Sequence, residues 1–238
     1  MEKLREFLKN NLNAKILDVG TGRGNFIGLI DYLYKDYEKI VGIDIYDKAV
    51  EIASKYFEKN DKIKIIEKDI INTGFPKEYF DIVCLSNSLH HLDDILGRFQ
   101  AMEALVKPGG YLLFNEMMKD NLNKAQISHL LVHHFSAKLD RETGITHNET
   151  YNRQEIIDVI NKNTKFDFVD AWDMQVPVNE STEAEIEGMI KTVDMLLKRL
   201  NDEKLIAKHT AEAETIKEYI KDNGIQGCTQ LIVVVKKT

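Results

Sequence analysis

Short apolar runs alternate with helix-spaced apolar residues through the first half of the chain. Residues 15–19 (KILDV), 39–44 (KIVGID), 80–86 (FDIVCLS) and 110–115 (GYLLFN) have strand length and read as buried strands. Ile63 and Ile65 alternate with Lys62 and Lys64, as in a strand with one face in water. Between them, apolar positions at helical spacing predict helices over 24–35, 47–59 and 93–106. A strand–helix–strand order of this kind demands a parallel sheet with right-handed crossovers. The second half changes character. Helices are expected over 121–139 and 152–162, the latter opened by Asn152 and Glu155 at capping-box spacing. A strand follows over 165–172, then Glu, Lys, Leu and Ile at helical spacing over 181–222, enough for two helices, then a strand over 228–236. The expectation is an α/β fold: a Rossmann-like, doubly wound, seven-stranded sheet with a helical cap or insertion. Its parts are a core over 1–120, a cap over 121–164, and the last two strands over 165–238 with an insertion at 181–222.

Chemistry concentrates where the first strand ends. Residues 16–26 read ILDVGTGRGNF, with Gly20, Gly22 and Gly24 at alternate positions. Without Cβ atoms they let the backbone turn sharply and approach a ligand, and the helix that follows offers unpaired N–H groups to the same place. A nicotinamide-binding loop has the spacing G-x-G-x-x-G. Here Asn25 or Ile27 stands where its third glycine belongs, depending on the register. The pattern is instead acidic-x-G-x-G-x-G, with Asp18 as the acid. Asp44 ends the second strand, where a carboxylate can accept from both hydroxyls of a ribose.

Together with Asp69 in EKDI, the segment SNSLHHLDD after the fourth strand and the element LVKPGGYLLFNE, this order resembles the class I S-adenosylmethionine-dependent methyltransferases, in particular the UbiE-like, type 11 small-molecule group. The resemblance covers about residues 12–116. It implies that Asp18 and the backbone from Gly20 through Thr21 and Gly22 to Gly24 hold the methionine end of S-adenosylmethionine. It implies that Asp44 holds the ribose, that Ile45 packs on the adenine, and that Asp69 and the backbone of Ile70 read the adenine edge. Ser86 would line the methyl end. Pro108 and Gly109 would stop a helix and set a turn. The family's last strand is antiparallel, and 228–236 is the candidate. Its last two strands usually form a close hairpin, whereas residues 173–227 separate them here. The acceptor would be a small molecule, since Ser86-Asn87-Ser88-Leu89 stands where methyltransferases of adenine or glutamine carry [Asn/Asp]-Pro-Pro-[Tyr/Phe].

Four of the seven histidines fall between residues 129 and 147: His129, His133, His134 and His147. In this family that region often covers the open end of the sheet. Three readings stay open. His129, His133 and His147 could bind a divalent transition metal. His133, His134 or His147, helped by Glu116, could act as a general base or touch the acceptor. The segment could also be a polar helix face in water. After the fourth strand, His91 or its neighbour His90 is a further base candidate. Two rival functions also stand: a module that keeps S-adenosylmethionine or S-adenosylhomocysteine without catalysis, and a nicotinamide-dependent oxidoreductase.

Composition narrows these readings. A formal net charge of −7, with no Lys/Arg-rich block, excludes a phosphate-backbone binder, so no nucleic-acid partner is expected. No apolar run approaches a bilayer span, so no membrane association is expected, and the N-terminus MEKLREFLKNN is charged and amphipathic. Cys84 and Cys228 both lie in strand-like segments and are expected as free thiols in a reducing cytoplasm. The helices of 181–222 are candidates for covering the active-site mouth or for self-association.

Overall fold

The computed structural model describes residues 1–175 and 181–238. The elements run α1 (Glu2–Lys9), β1 (Lys15–Val19), α2 (Asn25–Leu33), β2 (Lys39–Asp44), α3 (Asp47–Tyr56), β3 (Ile63–Glu67), β4 (Phe80–Ser86), α4 (Ile95–Leu105), β5 (Val106–Met117), α5 (Lys124–Glu142), α6 (Arg153–Asn163), β6 (Asp167–Met174), α7 (Glu183–Lys198), α8 (Glu203–Asn223) and β7 (Gln230–Lys236). The strands form one seven-stranded sheet in the order β3-β2-β1-β4-β5-β7-β6.

Strands β1 to β5 are parallel throughout their pairings. Their buried runs are nearly continuous, as strands covered on both faces require. Strand β7 runs the other way. Met118 donates to Thr229 O, whereas Gly109 donates to Lys237 O and Lys237 to Gly110 O, so one strand climbs as the other descends. The order reverses at β1, which lies between β2 and β4, and the crevice beyond the carboxyl ends of those strands is where such sheets take their ligands.

One expected turn is absent as such. Pro108 and Gly109 do not separate α4 from β5. Val106 already pairs with Phe80 and Tyr111 with Ile82, so Lys107–Gly110 form an irregularity within the strand. Gly109 takes a left-handed φ of 76° there.

The chain divides into two compact units. The first comprises Met1–Glu116, Glu155–Asp173 and Leu231–Thr238, and the second Met117–Gln154 and Met174–Gln230. The expected cap over 121–164 is therefore shared, since α6 belongs with the core. In the helical unit, Val132, Phe135 and Leu139 of α5 pack with Val193 and Leu196 of α7 and with Ala213, Ile216 and Ile220 of α8. The inner faces of the two helices in 181–222 thus form, with α5, the apolar interior of this unit. Both helices of that segment are capped: Thr182 and Glu185 form a reciprocal capping box, and Asp202 caps α8. Among the described residues, no helix is long and apolar enough to cross a membrane.

Candidate active site

The glycine loop is built by close approach. Gly20, Gly22 and Gly24 have φ of 66°, 53° and 83°, all in the left-handed region. A Cβ on Gly24, which caps α2, would come 2.5 Å from the Phe57 ring, so the entry to α2 is packed against the end of α3. A Cβ on Gly22 would meet nothing within 4 Å. That is the space a ligand needs to reach the backbone.

Three carboxylates frame this loop in different ways. Asp18 is fully buried. Thr21 Oγ1 donates to its Oδ2 at 2.7 Å, and Oδ1 is buried with no hydrogen-bond partner. Burial pushes its carboxyl up to about 7; the Thr21 bond pulls the other way and the nearby Asp44 charge adds to the rise. A buried acid left half satisfied is costly unless a cationic or donor group completes it. Asp44 Oδ2 accepts from the Gly22 N–H at 2.8 Å and Oδ1 from the Tyr46 N–H at 3.0 Å. It ties the loop to the end of β2, and each oxygen keeps a further lone pair. Asp69 caps the short turn Ile70–Asn72 through Oδ1, which accepts from the Ile71 N–H at 2.9 Å. Ile70 is buried, whereas Ile45 is 54% exposed, an apolar surface beside the Asp44 carboxylate.

The carboxyl end of β4 adds a second group. Ser86 Oγ accepts from Asn115 Nδ2 at 2.9 Å. Ser88 Oγ, a residue that sequence reasoning passed over, lies 2.9 Å from Ser86 O and 3.2 Å from Gly20 O, which docks the following turn on the glycine loop. In that turn, Leu89–His91, the histidines part company. His91 is exposed; His90 is buried, and its Nδ1 sits 2.5 Å from Glu116 Oε1. Glu116 Oε2 accepts from the Leu89 N–H at 3.1 Å, so both of its oxygens are engaged within the core. Of the two histidines, His90 is the one set against Glu116. A residue's phase in a three-residue turn is set by the turn's docking and not by periodicity.

In the helical unit, the histidine-rich segment splits into separate tasks. His129 Nδ1 accepts from the Cys228 N–H at 3.1 Å, and burial lowers its pKa. Among the described residues it brings no ligand atom within 4.8 Å of both His133 and His147, so the expected metal set His129, His133, His147 is not assembled. His134 Nε2 lies 3.0 Å from Thr150 Oγ1 and accepts from the Thr150 N–H at 3.3 Å. His147 Nδ1 lies 2.7 Å from Asp140 Oδ2, Arg141 donates to the His147 carbonyl at 2.6 Å, and Arg199 donates to Asp140 Oδ1 at 2.8 Å. The rings of His133 and His147 meet edge to face with centroids 5.0 Å apart. Cys84 and Cys228 are buried, free thiols, as expected.

Comparison with known proteins agrees with this geometry. Residues 17–114 match the family model described as "Methyltransferase domain". Among curated relatives, a highly reducing polyketide synthase of Alternaria alternata is 35% identical over 118 residues, 46% of this chain and 5% of the synthase. A phosphoethanolamine N-methyltransferase of Plasmodium falciparum is 30% identical over 117 residues, 48% of this chain and 43% of the relative. The chain thus spans only a small part of the synthases it matches and less than half of the phosphoethanolamine enzyme. Among solved structures, a Bacillus halodurans C-125 protein assigned as a methyltransferase superposes with a TM-score of 0.64 at 15% identity, covering 100% of this chain and 99% of that one. The [4+2]-cyclase SpnF gives 0.61 at 15% identity, covering 99% and 80%. The strand order, the acid-and-glycine loop and the family match converge: residues 17–114 match a methyltransferase domain, and the chain that carries them has the fold of the class I S-adenosylmethionine-dependent methyltransferases.

Proposed function

We propose that this protein transfers the methyl group of S-adenosylmethionine to a small-molecule acceptor that must give up a proton, and that His90, held by Glu116, takes that proton. The observation that carries the reading is the pairing of an open glycine loop with a buried His–Glu couple on one short stretch of sheet end. The cradle suits the cofactor on two counts. The space over Gly22 admits a close ligand, and Asp18 Oδ1 is a buried acceptor that an ammonium group would complete. Asp18 and the loop from Gly20 to Gly24, Thr21 included, would hold the methionine end. The spare lone pairs of Asp44 would take the ribose, Ile45 would cover the adenine, and Asp69 with the Ile70 backbone would read its edge.

When bound, S-adenosylmethionine supplies a methyl on a sulfonium that is already a good leaving group, so the protein's work is alignment, exclusion of water and proton removal. Glu116 fixes Nδ1 of His90, orients the ring and stabilises the imidazolium that forms when Nε2 takes the proton. Ser88, bridging Ser86 and Gly20, keeps this turn in register with the loop. The reading extends to a cytoplasmic protein, which its two free thiols favour.

Calorimetry decides the cofactor. The protein should bind S-adenosylmethionine and S-adenosylhomocysteine and not NAD, and Asp44→Ala should weaken binding by about 1–3 kcal/mol, the cost of leaving polar groups badly paired. Unchanged affinity in that variant overturns the ribose assignment. Because a [4+2]-cyclase shares the fold, binding is not enough. Methyl label must pass from cofactor to a component of a metabolite extract, and retention of all label on the cofactor would leave only a binding module.

A further inference from the structure

Arg98 on α4 reaches back to the acid expected to read the adenine. Its Nη1 lies 3.1 Å from Asp69 Oδ1 and its Nε 3.2 Å from Asp93 Oδ1. The guanidinium is mostly covered, while Asp69 keeps 39% of its side chain exposed and Asp93 64%. Asp93 is held below the usual carboxylate range by the Asp94 N–H and by Arg98. The two acids come from different places: Asp69 follows β3 and Asp93 opens the approach to α4. Arg98 is the only strut the described hydrogen bonds give between them.

The division of labour on Asp69 is the telling feature. Oδ1 carries both structural bonds, one from the Ile71 N–H and one from Arg98. A carboxylate gripped twice through one oxygen cannot rotate to offer that oxygen, so Oδ2 is the acceptor presented to a ligand. An acceptor-only group discriminates sharply. It welcomes an exocyclic amine and rejects a carbonyl at the same position, because the rejected ligand leaves two acceptors facing each other.

We infer that Arg98 is a specificity-determining positioning residue: by fixing Oδ1 of Asp69 it makes Oδ2 select a 6-amino purine over a 6-oxo purine. The inference rests on the reading of Asp69 as the adenine-edge residue. Removing Arg98 frees the carboxylate to turn and to accept a bridging water, each of which lets the oxo purine in.

The test is calorimetry on the intact chain with S-adenosylhomocysteine and its hypoxanthine counterpart, S-inosylhomocysteine. The wild-type protein should prefer the amino form by about 100-fold, the scale on which a buried, mismatched polar pair discriminates. Arg98→Ala should lower that preference by about tenfold, chiefly through tighter binding of the oxo form, and Arg98→Lys, a point charge without the fork, should fall between. Thermal unfolding of each variant reports the fold separately. A preference in Arg98→Ala within a factor of about two of wild type overturns the inference. Asp69→Ala locates the failure. If it abolishes the preference while Arg98→Ala does not, Arg98 plays no part. If it too leaves the preference intact, Asp69 does not read the adenine and the inference falls with that assignment.

Discussion

The glycine loop of the core and helix α5 of the helical unit are both dense in polar side chains, and they treat them in opposite ways. Around the loop, demand is left unmet: Asp18 Oδ1 is buried without a partner, and the space over Gly22 is open. Along α5 and the segment after it, several polar groups are spent on local structure. His129 accepts from Cys228, His134 from Thr150, and Asp140 is shared by His147 and Arg199. A clustering of histidines in sequence therefore says little by itself. What marks the loop is that buried, unused polar capacity lies next to backbone a ligand can approach; Ser128 Oγ on α5 is also buried without a hydrogen-bond partner.

Three measurements sharpen or break that contrast. The largest effect belongs to His90. Transfer of label to acceptor should fall by roughly 10²–10⁴-fold in His90→Ala, the range for a lost general base, with affinity for S-adenosylhomocysteine kept. Glu116→Gln should cost less. Full turnover in His90→Ala would shift the proton acceptor to another residue. Next comes Asp18. Its folded-state pKa, about 7, lies above the ordinary 3.8. An acid raised in this way stays protonated and harmless at low pH. As pH climbs from about 4 to 7, the unfolded chain loses this proton first and the folded state is penalised, by at most about 4 kcal/mol. The unfolding midpoint of the ligand-free protein should therefore drop across that window, and Asp18→Asn should flatten the drop, raise the midpoint at pH 8 and abolish cofactor binding. A wild-type midpoint that rises between pH 4 and 7 by the same amount in both proteins would mean that Asp18 finds its compensation within the fold. The smallest effect belongs to the helical unit. His134→Ala should cost about 1 kcal/mol, the worth of a local hydrogen bond, read in denaturant, and should leave cofactor affinity untouched. A loss of affinity there would erase the contrast between the two regions.

Much of the core was legible because its signals are local. Lys15–Val19, Lys39–Asp44 and Phe80–Ser86 fall on the expected residues, since a buried parallel strand is a plain apolar run closed by a turn. The loop, too, follows from three glycines and an acid. What escaped depends on distant partners. Strand β5 starts at Val106 because Phe80 draws it into the sheet before the glycines. Helix α5 runs past the expected end at 139 through Asp140, Arg141 and Glu142, whose partners His147, Arg199 and Lys208 lie elsewhere in the chain. His90 rather than His91 faces Glu116, and Arg98 braces Asp69, because of how short turns dock. No spacing rule reaches such contacts.

The position of β7 has a consequence for the order in which this molecule can be made. Among the described residues, strand β6 is an outer strand whose sole sheet neighbour is β7, and β7 is later in the chain by the whole length of α7 and α8. On the ribosome, β6 emerges with no ladder to join and carries Phe168 and Val169 exposed on it. It must wait until both helices and then Gln230–Lys236 have been synthesised and threaded beside β5. The five parallel strands can meanwhile settle among themselves. Assembly of the sheet is thus split in time, and the interval before β7 arrives is when a naked strand edge is open to the wrong partner, so holding β6 in check falls to the speed of closure or to a chaperone.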